Sequence, residues 1–193
     1  MLQPGDALLI VDPQNDFMPG GALAVPEGDR IIPIVNAWIV SAQQLSIPII
    51  ISRDWHPPHH ISFKERGGPW PEHCVQNTFG AAFHKDIVIP ENAIIINKAF
   101  LIDKDAYSAF EGITTDTQTP LPEKLHTLGI KRIWIAGLAL DYCVYHSAIS
   151  AHNLGFEFHV ILPACRAIAK DSAQKALADM QQLGVMIEYG APS

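Results

Sequence analysis

Only three cysteines occur in the chain, Cys74, Cys143 and Cys165, an odd number with no CxxC pair. That excludes a disulfide framework and a zinc-finger pattern, and a reducing cytosol is the expected setting. Charge is scarce too: 17% of residues are charged and like charges form no block. With 13 basic against 20 acidic side chains the net charge is −7, which argues against a nucleic-acid or anionic-membrane partner. No apolar run reaches the roughly 18 residues of a membrane span. The start, MLQPGDALLIVD, lacks the basic and long apolar regions of a secretory signal. These absences leave a cytoplasmic protein with a small-molecule partner, free to be a homo-oligomer or not. At 193 residues with 48% hydrophobic content, the chain can bury a large core and is read as one domain, residues 1–193.

Six short runs carry a strand signal: Ala7–Val11, Ile47–Ser52, Ala93–Asn97, Arg132–Gly137, Glu157–Leu162 and Val185–Glu188. Several are apolar without alternation, as strands covered on both faces should be. Between them lie helical patterns. Ile31, Val35, Trp38, Ala42 and Leu45 share one face behind a cap at Asp29; Val144, Ala148 and Ala151 share another near Cys143. A third helix runs from a cap at Asp171 through Ala173, Leu177 and Met180 to a stop at Gly184. Strands alternating with helices predict an α/β fold, a parallel sheet with right-handed crossovers and helices on both faces. Two long stretches, Trp55–Phe83 and Phe100–Pro122, break the alternation and are rich in aromatic, Gly, Pro and His residues. They read as active-site loops.

Chemically capable residues recur at the ends of predicted strands. Asp12 follows ALLIV, Asp54 and His56 follow IPIIIS, Lys98 follows AIIIN, and Cys143 follows RIWIAGL at the start of a helix. In an open parallel sheet these ends share one edge, where ligands bind. Cys143 in a first helical turn stands where free N–H groups and the helix dipole favour a thiolate, although a lone cysteine is as often a small buried apolar residue. Asp12 is a candidate general base, and Lys98 a cation able to lower the thiol pKa. Taken singly, each is equally a turn residue or a solvated side chain. The segment DWHPPHHISFKERGGPWPEHC offers Asp54, His56, His59, His60, Glu65 and His73, a mixed O/N set suited to Zn, Fe or Mn. Phe17 follows the Asp12 turn, Trp70 lies in this segment, and Tyr107 and Phe110 lie in the loop after Lys98; together they suggest a flat aromatic substrate held between rings.

The motifs VDPQNDF, SRDWHPPHHISF, GGPWPEHCVQ, INKAF and AGLALDYCV, in this order over nearly the whole chain, resemble the nicotinamidase (pyrazinamidase) family of the isochorismatase-like cysteine hydrolases. The resemblance implies a six-stranded parallel sheet in a three-layer fold, and hydrolysis of nicotinamide, and of pyrazinamide, through a cysteine thioester. It implies a catalytic triad of Asp12, Lys98 and Cys143, with an oxyanion hole from the N–H groups of Ala139 and Cys143 beside a cis peptide at or just before Ala139-Leu140. One divalent metal, Zn first with Fe or Mn as alternatives, falls to Asp54, His56 and His73, with His60 or Glu65 as a fourth ligand, directly or through water. Phe17, Trp70 and Tyr107 become substrate contacts. Three readings compete: a relative acting on another small amide, a metal-dependent hydrolase with a structural Cys143, and a non-catalytic binding module of the same fold.

Overall fold

In the computed structural model, which describes residues 1–192, each predicted apolar run overlaps a strand, and in the central ones both sets of alternating side chains find cover. In β1 (Asp6–Val11), Leu8 and Ile10 face one layer while Ala7, Leu9 and Val11 face the other, and all are buried. β2 (Ile49–Asp54) and β5 (Arg132–Leu138) divide in the same way. The first layer is closed by α1 (Ile32–Gln44) through Val35, Trp38, Ile39 and Ala42. The second is closed by α2 (Leu121–Thr127), α3 (Tyr145–Asn153) and α4 (Lys170–Gln182), through Leu121, Leu125, Ala148, Ala151, Ala176 and Met180. No helix among the described residues is long and apolar enough to cross a membrane.

The other strands are β3 (Ile94–Lys98), β4 (Ile113–Thr114), β6 (Glu157–Arg166) and β7 (Met186–Glu188), in the spatial order β4-β3-β2-β1-β5-β6-β7. The chain winds outward from β1 in one direction through β2 and β3, then returns to the other side of β1 with β5. The order therefore reverses between β1 and β5, and a crevice opens beyond their carboxyl ends. Asp12 leaves β1 there, and Cys143 follows β5.

Sequence and structure differ at several elements. The expected six-stranded parallel sheet has a seventh member: β4 pairs antiparallel with β3, Asn97 opposite Ile113 and Ile96 opposite Thr114. Two residues are too few to carry a period. β6 continues past Leu162 to Arg166, and its pairing with β5 shifts between Ile135 and Gly137. Pro163 lies in that stretch, and a residue with no N–H is accommodated where the ladder is irregular. α1 begins at Ile32 after a 3₁₀ turn over Gly28–Ile31 that contains Asp29, so Asp29 does not cap it. α4 begins at Lys170 rather than after Asp171. The residues that lead into it are held from a distance, the Asp141 carboxylate accepting from the N–H groups of Ile168 at 3.0 Å and of Ala169, just before the helix, at 3.1 Å.

Candidate active site

The carboxyl ends of four strands, β1, β2, β3 and β5, lead into one buried cluster. Lys98, the last residue of β3, is fully buried, and its ammonium group contacts both carboxylates: Asp12 Oδ2 at 2.9 Å and Asp54 Oδ1. The same Nζ lies 3.4 Å from Cys143 Sγ. Asp54 reaches Lys98 because the two residues are register partners at the ends of β2 and β3. Asp12 is held by Ser52, whose hydroxyl donates to Oδ1 at 2.7 Å; Ser52 pairs with Val11, the residue before Asp12. The other carboxylate oxygen, Oδ2, faces the Lys98 ammonium group on the side of the cluster that Cys143 shares. Cys143 itself sits in a π-helical turn, Leu140–Val144, that precedes α3, and the Leu138–Ala139 peptide before it is cis.

Burial lowers the Lys98 pKa, but Asp12 and Asp54 outweigh it and hold the value well above that usual for lysine. Burial also raises Asp12, and Asp54 adds to that, against the opposing charge of Lys98. Burial pushes the Cys143 thiol well above its usual value; Lys98 opposes, while Asp12 and Asp54 add. Lys98 thus acts in the direction the sequence reading gave it, while burial and the two carboxylates work against the thiolate which that reading expected. A sulfur of raised pKa beside a carboxylate whose pKa is also raised favours proton transfer from Cys143 to Asp12 in step with attack.

Next to this cluster Asp54, His56 and His73 converge. His56 Nε2 and His73 Nε2 lie 3.3 Å apart, and Asp54 Oδ2 lies 3.6 Å and 3.8 Å from them. Two donors bound at about 2.0–2.1 Å to a tetrahedral zinc stand about 3.3–3.4 Å apart. The second ring nitrogens fix the tautomers: His56 Nδ1 donates to the Ala99 carbonyl at 3.2 Å and His73 Nδ1 to the Pro71 carbonyl at 2.7 Å. Both Nε2 atoms therefore present bare lone pairs to each other beside a carboxylate oxygen, an arrangement that a cation completes. All three residues are buried. The donor set fits a divalent metal such as zinc.

The fourth candidate ligands are not brought to this point. His60 stacks on His56 with ring centroids 4.3 Å apart, but both of its nitrogens are engaged. Nδ1 accepts from Ser62 Oγ at 2.7 Å and Nε2 donates to the Lys104 carbonyl at 3.0 Å. Glu65 is exposed and pairs with His59 at 2.6 Å. In this arrangement the Nδ1 lone pair is met by Ser62 in the same loop and the Nε2–H ties His60 to the loop of Lys104, so a role for His60 as fourth ligand would need its ring to turn.

Phe17, Trp70 and Tyr107 do line one pocket, together with Asp54, His56, His73, Ala139 and Cys143. Trp70 Nε1 donates to the Tyr107 hydroxyl at 3.0 Å, which ties the two long loops across the mouth. Phe110 instead packs in the core against Phe156, with centroids 6.0 Å apart. Sequence reasoning missed Tyr142, which lines the pocket and meets Trp70 edge-on at 5.1 Å, and also missed Ser52. Tyr142 adjoins Cys143 in the chain, a signal that could have found it; a serine inside a strand carries none. The three cysteines are free and buried, and Cys74 and Cys165 are packed in the core as the sequence suggests.

The profile of the isochorismatase domain family matches residues 6–189. The nicotinamidase of Acinetobacter baylyi is 40% identical over 199 aligned positions, which cover 93% of this chain and 90% of that protein. Among solved structures, the pyrazinamidase of Pyrococcus horikoshii in complex with zinc superposes with a TM-score of 0.89 at 49% identity, over 96% of this chain and 99% of that one. The yeast nicotinamidase bound to the inhibitor nicotinaldehyde gives 0.85 at 31% identity, over 94% and 98%.

Proposed function

The chain belongs to the isochorismatase domain family, and from that premise we propose that it is a nicotinamidase, converting nicotinamide to nicotinate and ammonia and accepting pyrazinamide as well. The observation that carries this reading is the contact of Cys143, Lys98 and Asp12 at an aromatic-lined pocket whose wall also contains His56 and His73.

Asp12 Oδ2 takes the Cys143 proton as sulfur attacks the carboxamide carbon, so a C–S bond forms while the carbonyl π pair moves to oxygen. The N–H groups of Ala139 and Cys143 receive that oxyanion; elsewhere, loss of one such donor costs ~10²–10³ in rate. Asp12 then passes its proton to the nitrogen, the C–N bond breaks and ammonia leaves a thioester on Cys143. Asp12 next deprotonates a water that attacks the acyl carbon; the C–S bond breaks and the thiol is restored. Throughout, Lys98 balances the negative charge that moves between Asp12 and Cys143. Phe17, Trp70 and Tyr107 hold the ring and exclude water. Asp54, His56 and His73 would hold one divalent metal, zinc first, which when bound supplies a Lewis acid able to orient the pyridine nitrogen and draw electrons from the ring.

A fixed separation between the metal-binding residues and Cys143 selects by geometry. Nicotinamide and pyrazinamide carry a ring nitrogen meta to the carboxamide, whereas picolinamide has it ortho, isonicotinamide para and benzamide none. Ammonia release from these amides tests the function directly. The first two are expected to exceed the others by about 10²-fold in kcat/KM, the cost of misplacing a reacting atom by roughly 1 Å. Chelation or His56→Ala should narrow that gap. No release from nicotinamide by the metal-loaded protein defeats the proposal, and a gap that survives chelation assigns selection to the aromatic walls.

Lys98 can be tested separately. Because its charge opposes the rise in the Cys143 pKa, Lys98→Met is expected to move the pH profile of iodoacetamide alkylation at Cys143 upward. An unmoved profile would show that Lys98 has no electrostatic part in activating the thiol.

A further inference from the structure

Of the three proposed metal-binding residues, His73 alone is remote from a strand. Asp54 ends β2 and His56 follows it closely, but His73 lies 17 residues beyond His56, inside a long loop. A ligand on a loop is only as well placed as the bonds that hold the loop.

The residue after it, Cys74, supplies those bonds with its backbone. Its carbonyl accepts the His56 N–H at 3.1 Å, which ties the two histidine segments together. Its own N–H donates to Asp16 Oδ2 at 2.7 Å. Asp16 belongs to the loop after β1 and is tied in on every polar side: Oδ1 accepts from the Ala22 N–H at 3.2 Å. Its N–H donates to Gly80 at 3.0 Å, and its carbonyl accepts from Leu23 at 3.0 Å. Gly80 has no alternative here, since a Cβ at that position would overlap the Asp16 carboxylate. The next residue, Phe17, meets the His73 ring with centroids 5.8 Å apart.

We propose that Asp16 is a positioning residue that sets His73 against His56, and that couples the aromatic wall at Phe17 to the metal-binding set. It touches neither metal nor substrate. Its carboxylate makes a charge-assisted bond to the N–H of Cys74, the residue whose carbonyl joins the two histidine segments together with the Gln76 N–H that donates to the His56 carbonyl. The proposal rests on the metal reading given above.

Zinc affinity is the direct measure, read by competition with a chromogenic chelator on the full-length protein after metal removal. Asp16→Ala is expected to weaken zinc by about 10–100-fold, the usual scale for a residue that orients a ligand. Asp16→Asn keeps a carbonyl oxygen for the Cys74 N–H and should recover most of the loss. Gly80→Ala leaves Asp16 in the sequence but displaces its carboxylate, so it should reproduce the weakening. The two changes combined should be clearly less than additive, because they remove the same interaction. Thermal midpoints of the metal-free proteins separate folding from binding: a merely structural Asp16 lowers the midpoint and leaves zinc affinity alone. Wild-type zinc affinity in folded Asp16→Ala overturns the proposal; if that variant does not fold, wild-type affinity in Gly80→Ala overturns it. Failure of the unmutated protein to bind zinc would overturn the metal reading first, and this proposal with it.

Discussion

Cys143→Ala is expected to yield a folded, metal-binding protein that releases no ammonia from nicotinamide. The side chain is small, buried and part of the pocket lining, with Lys98 Nζ 3.4 Å from Sγ and the Asp12 carboxylate beside it; alanine therefore removes a sulfur and little else. The proposed chemistry has no substitute for that atom, because the acyl group must be carried by a bond to Sγ. Losing a nucleophile that works as a unit with its base costs roughly 10⁶-fold in kcat in a well-studied hydrolase, and a loss on that scale is expected. Cys143→Ser should be nearly as inactive, since a hydroxyl beside Asp12 is a far weaker nucleophile than an incipient thiolate. Ammonia release at saturating nicotinamide and zinc content of the purified variants are the measurements. Activity in Cys143→Ala within an order of magnitude of wild type would move the attack from sulfur to water and leave Cys143 a packing residue.

Asp12→Asn has the next largest expected effect, and its signature is a divergence between two readouts. Asp12 is the base that takes the thiol proton, the acid that protonates ammonia and the base that activates water. Its loss should therefore lower kcat by more than the ~10²–10⁴ of a single proton-transfer role, with KM nearly unchanged. Yet Asp12 is also one of the carboxylates that raise the Cys143 pKa. A neighbouring negative charge disfavours the thiolate, so its removal lets the thiol ionise at lower pH, and alkylation of Cys143 should shift downward. Asp12→Asn and Lys98→Met are thus expected to move the alkylation profile in opposite directions while both lower turnover. If the two profiles moved together, the charges around the sulfur would not act as described; if kcat survived Asp12→Asn, another group would be the base.

The alternation that defines this fold was written into the chain. A strand buried on both faces must be apolar at nearly every position, so Ala7–Val11 and Arg132–Gly137 announce themselves, and the polar residues that end such runs are conspicuous against them. Asp12, Asp54, Lys98 and Cys143 were legible for that reason, and the motifs around them carried the family. His73 was legible only through its motif, because it lies on a loop where no period marks it. What the sequence could not reveal depends on neighbours brought from far along the chain. Whether His60 offers a lone pair to a metal was decided by Lys104, 44 residues away, whose carbonyl fixes the ring's proton. Where the helices near Asp29 and Asp171 begin was set by a preceding 3₁₀ turn in the one case and, in the other, by a lead-in segment held by Asp141, 27 residues from the Ile168 N–H it accepts. The protonation of Cys143 is the deepest case: it is a balance of burial, one cation and two carboxylates drawn from three other strand ends. Charges interact through space and through the dielectric that folding creates, so their balance exists only once the strands are side by side.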